Sequence, residues 1–282
     1  MFYIIFNPKA NNGNAEKELD SLPAGFKSDC RKINVLENSD YKSIIMQLKE
    51  EDSIVIAGGD GTLNHFINDV DTDNIHNPVY FFSIGTGNDF KNDINQKENR
   101  EPVMINEYLR NLPTVCIDDR EYKFINGIGY GIDGYCCEEG DRLRAGSAKP
   151  VNYTLIAIKG ILSKFKSRNA VITVDGVSRE FRKVWLAPTM LRRFYGGGMM
   201  VTPRQDRLNK EHTVTNAVMY GKGRLITLMR FPAIFKGEHV KYTDMMSFME
   251  GHEITVEFDS PCALQVDGET FLNVKKYTVK YA

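Results

Sequence analysis

No part of this chain stays apolar for the roughly eighteen residues that a bilayer crossing demands. The longest candidate, Tyr153 to Leu162, is broken by Lys159 and Gly160, so any membrane contact is expected to be peripheral. Cysteine is scarce: five residues, an odd number, with no C-x-x-C pair and no histidine at metal-ligand spacing. That pattern excludes a disulfide framework or a zinc module and fits a reducing cytosol. The adjacent Cys136 and Cys137 read as small buried hydrophobes. Internal repeats, low-complexity tracts and nucleic-acid-binding motifs are also missing, so nucleic acid is not an expected partner. The first residues, Met1 to Phe6, lack a basic leader and are too short for a signal-peptide core. They read as a strand running into Asn7-Pro8, and the expected location is cytoplasmic.

Excess charge is absent overall, with 36 Lys/Arg against 37 Asp/Glu. The balance hides an asymmetry. Residues 1–117 carry 11 basic and 18 acidic side chains, whereas residues 118–282 carry 25 and 19. A basic second half suits anionic lipid or a phosphorylated ligand. At 282 residues, 42% hydrophobic and 26% charged, the chain has room for two domains, each with its own core.

The first 117 residues alternate between short apolar runs and helical periodicity. Strands are expected at 2–6, 32–36, 53–57 and 79–84, and helices near 14–21 and at 40–50, 62–70, just after Asn88, and 103–112. This rhythm predicts a doubly wound α/β domain with a parallel sheet over 1–117. From 118 onward the runs become β-branched or aromatic: 122–127, 170–175, 179–187, 213–219, 252–258, 262–266 and 272–281. They predict a mainly antiparallel β-sandwich domain over 118–282, interrupted by a helix from Tyr153 to Lys166. Lys222, Arg224, Arg230 and Lys236 intermix with Leu225, Ile226, Leu228, Met229, Phe231, Ile234 and Phe235. That segment suits either an anionic bilayer surface or ordinary packing.

Chemistry concentrates at three strand ends. Gly58-Gly-Asp-Gly-Thr-Leu-Asn64 follows the apolar run Ser53 to Ala57. Gly58, Gly59 and Gly61 let the backbone turn sharply and bring N–H groups close to an anion. Leu63, Phe66, Ile67 and Val70 then mark an amphipathic helix whose N-terminus points at those glycines and favours a phosphate. Asp60 is placed to face a divalent cation. Asn7 to Gly13 and Gly85-Thr-Gly-Asn-Asp89 occupy the other two ends, and ligands of such sheets bind where strand carboxyl ends converge. Late in the chain, Asp267-Gly268-Glu269 reads as a hairpin turn between apolar runs, which leaves room for a catalytic role as well.

These motifs, with Phe124-Ile-Asn-Gly-Ile-Gly-Tyr-Gly-Ile-Asp133 and Tyr195-Gly-Gly-Gly-Met199 followed by Pro203, give a specific order and spacing. The chain resembles the diacylglycerol kinase catalytic-domain family, in its bacterial lipid kinase branch related to sphingosine and ceramide kinases, over essentially its whole length. The resemblance implies transfer of the γ-phosphoryl group of ATP to a lipid hydroxyl, with Mg²⁺, in a cleft between two domains. It implies that Asn7, Lys9, Gly58, Gly59, Gly61, Thr62, Asn64 and Thr86 bind the nucleotide. Asp60 and Asp267 would hold the metal, and Glu269 would act as general base with Asp60 and Asp267 as its catalytic partners. Partners implied are ATP, a lipid acceptor and the anionic inner face of the membrane; a homodimer is left open. A soluble NAD or small-molecule kinase and a non-catalytic nucleotide or lipid sensor are the alternatives.

Some positions depart from the family. Ala10-Asn11-Asn12-Gly13 replaces the usual Ser-Gly after Asn-Pro-x. Cys116 stands where many relatives carry Asp, and Asp118, two residues on, is expected on the same strand face. His65 follows the motif asparagine in place of Glu. Asn209-Lys210-Glu211 replaces an Asp-Asp-Gly metal loop, and Met190-Leu191-Arg192-Arg193 lacks the asparagine that often precedes the triple glycine.

Overall fold

The computed structural model describes residues 1–84, 89–96, 98–146 and 151–281, and the chain divides into two compact units at Leu112/Pro113. In the first unit β1 (Phe2–Phe6), α1 (Ala10–Gly13), α2 (Ala15–Leu19), α3 (Ala24–Lys27), β2 (Cys30–Asn34), α4 (Tyr41–Ile45), β3 (Ser53–Gly58), α5 (Asp60–Asp69), β4 (Val79–Ser83), α6 (Asp89–Asp93) and β5 (Val103–Met104) follow in order. The sheet order is β2-β1-β3-β4-β5, parallel except for the β5 edge. β3 lies at its centre, and Ile54, Val55, Ile56 and Ala57 are fully buried. A strand covered on both faces reads as a continuous apolar run for this reason. Leu63, Phe66 and Ile67 bury one face of α5.

The helix expected over 103–112 does not form. Val103 and Met104 pair with β4, and only Asn106–Leu109 make a tight helical turn. Asn106 explains the change. Its Oδ1 accepts the Val79 N–H (2.8 Å) and its amide donates to Asn77 O (2.9 Å), so the side chain occupies backbone partners at the sheet edge. Ile105 and Leu109, whose spacing looks helical, are buried by this turn instead.

The second unit contains β6 (Thr114–Ile117), β7 (Arg120–Lys123), β8 (Gly127–Tyr130), α7 (Ile132–Gly146), α8 (Tyr153–Lys159), β9 (Arg168–Val174), β10 (Val177–Val184), β11 (Thr189–Met190), β12 (Phe194–Tyr195), β13 (Met199–Met200), β14 (Val214–Met219), α9 (Arg224–Arg230), β15 (Met246–Gly251), β16 (Glu253–Val266) and β17 (Glu269–Lys280). Its antiparallel sheet runs β15-β14-β11-β8-β16-β17-β6-β7, with β9 and β10 branching from β16. Residues 114–117, read from sequence with the first half, pair with β17 here. β16 is long enough for its N-terminal half to pair with β9 and its C-terminal half with β8. The register shifts between Glu257 and Cys262, around Pro261, which has no N–H to give to a ladder.

The 15-residue helix α7 was not visible as a helix in the sequence, and two of its glycines show why it is needed. A Cβ on Gly134 would stand 1.8 Å from the Ala263 carbonyl oxygen, and one on Gly140 would meet the Tyr153 ring at 2.7 Å. Helix propensity yields to close packing on β16 and α8. The helix expected from Tyr153 to Lys166 is α8 plus a wider turn over Gly160–Lys164, closed by the Phe165 N–H on Gly160 O (2.9 Å). Among the described residues no helix is long and apolar enough to cross a membrane.

Candidate active site

In the first unit the carboxyl ends of β1 and β3 are neighbours, since Phe6 pairs with Ala57. The Asn7 N–H reaches Ala57 O at 3.4 Å. Asn7 Oδ1 accepts the Lys9 N–H (3.0 Å), a local turn that leaves the Lys9 side chain exposed. β3 passes into α5 through Gly58 and Gly59. A Cβ on Gly58 would lie 2.3 Å from Thr62 Oγ1, whereas one on Gly59 would meet nothing within 4 Å. Gly58 is therefore required by the packing of the first helical turn, and Gly59 opens outward as the residue before α5. Asp60 is the first helical residue, where a carboxylate is favoured by the helix dipole. Its Oδ2 accepts the Asp89 N–H at 3.0 Å, which ties the start of α5 to the start of α6.

The expected nucleotide residues separate into two sets. Gly59, Asp60 and Gly61 form the half-buried rim of the turn. Thr62 and Asn64 are buried beneath it; Thr62 sits against Gly58 and Asn64 accepts from the Asn68 amide through O (3.0 Å). Thr86, with Gly85, Gly87 and Asn88, lies outside the described residues. Asp89 is a residue that sequence reasoning missed: it is buried and sits beside Asp60. Its place at the end of the glycine- and asparagine-rich run Gly85 to Asp89 was the available signal, but the bond joining it to Asp60 spans 29 positions.

In the second unit Asp267 and Gly268 have φ of 48° and 99°, the two left-handed residues of a tight hairpin between β16 and β17. Asp267 is buried, and its carboxylate is engaged by backbone. Oδ1 accepts the N–H groups of Asn126 and Gly127 (both 2.9 Å), and Oδ2 accepts that of Ile125 (2.7 Å). The Gly268 N–H donates to Gln265 Oε1 at 2.7 Å. Glu269 begins β17 with its side chain exposed. Beside it, the Thr270 hydroxyl donates to Asp141 Oδ2 on α7 (2.6 Å). The turn is thus fixed from two sides, and Asp267 is an anchor with three bonds before any ligand arrives.

Asp118 does not share the strand face of Cys116. The strand ends at Ile117, and Asp118 and Asp119, with φ of 47° and 64°, form the exposed turn into β7. At the loop where an Asp-Asp-Gly would bind metal, the Asn209 side chain accepts the Thr213 N–H (2.8 Å) and donates to Asp206 O (2.7 Å). Among the described residues no group of three or more His, Cys, Asp or Glu is placed to hold a metal. α7 opens with Asp133, buried near the Tyr195 hydroxyl without a hydrogen bond of regular geometry to it. Burial pushes the Asp133 carboxyl up to about 7, and the Tyr195 hydroxyl opposes part of that rise. Burial also pushes the Cys137 thiol, one helical turn on, up to about 12, which disfavours the thiolate form that nucleophilic chemistry needs.

Two sequence families match in succession. The Diacylglycerol kinase catalytic domain matches residues 1–113, and the YegS C-terminal NAD kinase beta sandwich-like domain matches residues 126–277, more than half of the chain. The Diacylglycerol kinase of Mycobacterium tuberculosis is 25% identical over 256 residues, covering 86% of this chain and 80% of its own. YtlR of Bacillus subtilis, whose name assigns it provisionally to the lipid kinases, is 27% identical over 234 residues, 77% of this chain and 73% of its own. A Bacillus anthracis crystal structure, described provisionally as a diacylglycerol kinase, shares the fold with a TM-score of 0.70 at 16% identity, covering 99% of this chain and 91% of that one. The glycine turn at the end of β3, the Asp-Gly-Glu hairpin and these consecutive matches have one reading: the chain belongs to the diacylglycerol-kinase-like family of lipid kinases.

Proposed function

We propose that this protein transfers the γ-phosphoryl group of ATP to a hydroxyl of a membrane lipid, diacylglycerol or a close relative. The observation that carries the reading is the turn from β3 into α5. A Cβ on Gly59 would meet nothing within 4 Å, and Asp60 stands at the start of the helix that follows. Such a turn holds phosphate through backbone donors and the helix dipole. The names carried by the relatives in Mycobacterium tuberculosis and Bacillus subtilis support a lipid acceptor.

Asp60, at the helix start with its Oδ2 already accepting the Asp89 N–H, fits the way Mg²⁺ is held in phosphoryl-transfer sites, by one or two carboxylates together with phosphate oxygens and water. Bound there, Mg²⁺ would neutralise charge on the phosphates. Glu269 takes the proton of the attacking hydroxyl. A free carboxylate is too weak a base to deprotonate an alcohol outright, so the proton leaves as the oxygen bonds to phosphorus. Positioning of Glu269 then matters more than its basicity, and Asp267 and the Thr270–Asp141 bond supply that positioning. Asn7 and Lys9 flank the turn on the β1 side.

The test is Mg²⁺-dependent transfer of labelled γ-phosphate from ATP to a mixed lipid extract by the parent protein, Asp60→Ala and Glu269→Gln. A labelled lipid formed by the parent and lost in both variants is expected. Labelling only of a water-soluble acceptor would replace this reading with a small-molecule kinase. ATP binding without any turnover would leave a sensor.

A further inference from the structure

We infer that Gln265 is a positioning residue for Glu269, fixing the turn that aims its carboxylate through the backbone of Gly268. The inference rests on the reading of Glu269 as the group that takes the hydroxyl proton, and it names the side chain that holds it in register. Gly268 immediately precedes Glu269, and both are exposed, so packing does not hold them. The peptide joining Asp267 to Gly268 is the central one of the hairpin turn. Gly268 has φ of 99°, and glycine accepts the opposite sign as readily. The turn can therefore flip this peptide between its two hairpin forms, which differ in the sign of φ at that residue and in the twist they pass to the following strand. A hydrogen bond selects one form: the Gly268 N–H donates to Gln265 Oε1 at 2.7 Å.

Gln265 is itself confined. It is buried and lies on β16 opposite Gly129 of β8. A Cβ on Gly129 would stand 2.6 Å from Gln265 Nε2, 3.0 Å from its Cγ and 2.7 Å from Asp133 Cβ. The bare backbone of Gly129 is the bed on which the Gln265 side chain lies, with the start of α7 beside it. A long amide side chain held this way has already lost its rotamer freedom, and it presents Oε1 to the turn without further cost. The other contacts of the turn act on either side. The Asp267 N–H donates to Gly127 O (3.1 Å) and its carboxylate takes three more amides, while Thr270 is tied to Asp141. Gln265 serves the residue between Asp267 and Glu269. Misplacing a reacting group by about 1 Å can cost about 10²-fold in rate, so this bond is expected to appear in turnover.

The experiment measures kcat and the KM values for ATP and diacylglycerol in the parent, Gln265→Met, Gln265→Glu, Glu269→Gln and the double variant Gln265→Met/Glu269→Gln, with unfolding midpoints to verify folding. Met keeps the length of the side chain and removes the acceptor, whereas Glu keeps an acceptor oxygen. Gln265→Met is expected to lose about tenfold or more in kcat with both KM values within about twofold, and Gln265→Glu to stay within about threefold of the parent. In the Glu269→Gln background Gln265→Met is expected to cost nothing further, because its effect passes through the carboxylate already removed. Hydrogen exchange reads the same bond without turnover. The Gly268 amide is expected to be protected in the parent although the residue is exposed, and to lose about tenfold or more of that protection in Gln265→Met. A parent-like kcat in Gln265→Met, the same fold-loss in both backgrounds, or an unprotected Gly268 amide in the parent would overturn the inference and leave the role of Glu269 standing. Absence of transfer by the parent, or parent-like activity in Glu269→Gln, would instead remove the proton-acceptor reading and the positioning role with it.

Discussion

Replacing Asp267 separates an anchoring carboxylate from a metal ligand. Its two oxygens receive three backbone N–H groups at 2.7, 2.9 and 2.9 Å, all in a buried setting. A hydrogen bond to a charged acceptor contributes about 1.5–3 kcal/mol, and a buried donor left without a partner costs about 1–3 kcal/mol. Asp267→Ala strands three donors, so a loss of roughly 4–6 kcal/mol is expected after allowing for water entering the gap. Asp267→Asn keeps one oxygen for two of the N–H groups but turns an amide donor toward the third, a loss of roughly 2–3 kcal/mol. Urea unfolding followed by circular dichroism and by Trp185 fluorescence reads these values for the second unit. Where Asp267→Asn folds, its phosphoryl-transfer rate is expected to fall while the Mg²⁺ concentration for half-maximal rate stays within twofold. An Asp267→Ala protein as stable as the parent, with a Mg²⁺ requirement raised tenfold, would refute the anchor and restore the metal role that the family resemblance implies.

Gly134→Ala is expected to cost more than about 3 kcal/mol or abolish folding, because its Cβ would lie 1.8 Å from a backbone oxygen of β16 that cannot swing aside; a variant within 1 kcal/mol of the parent in urea would contradict this packing. Gly58→Ala places a Cβ 2.3 Å from Thr62 Oγ1, so the first turn of α5 must shift, and ATP affinity measured by calorimetry is expected to drop at least tenfold with a stability loss of about 1–3 kcal/mol. For Asp133, burial lifts the folded-state carboxyl from the ordinary 3.8 to about 7. The native chain therefore keeps a proton that the unfolded chain has released, so this group's contribution falls as pH rises from about 4 to about 7, by at most about 4 kcal/mol, and levels off above that. Asp133→Asn should flatten that fall; parallel stability profiles for parent and variant across this range would show that the carboxyl is not buried in solution.

The parallel-sheet half was legible because each strand is a short apolar run buried on both faces, and because its turns spend glycine and asparagine where the backbone must bend. The Asp-Gly hairpin was legible for the same reason. What failed depended on partners far away in sequence. α7 contains glycines and paired cysteines that argue against a helix, and only the β16 backbone shows why Gly134 is required. Val103 and Met104 have helix-compatible neighbours, yet pairing with β4 decides their state. Asp118 was placed by strand alternation, which says nothing once the strand has ended at Ile117. For Asp267 the family resemblance implied a metal-holding role, and the structure adds three backbone donors on its carboxylate. Its three amides, more than a hundred positions upstream, are invisible to any local pattern.

That separation has a bearing on synthesis. Asp267 bonds residues 140 to 142 positions earlier, and the strand carrying it also pairs with β8. At about 5–20 residues per second, on the order of ten seconds pass between translation of Gly127 and of Asp267. During that interval β8 lacks first both of its neighbours and then, once β11 is made, still β16, and the amides of Ile125 to Gly127 await their acceptor. The same closure that completes the middle of the sheet sets Glu269 in place. A nascent or truncated chain ending before residue 267 therefore leaves those amides without this acceptor, and the proposed role of Glu269 requires completion of the sheet.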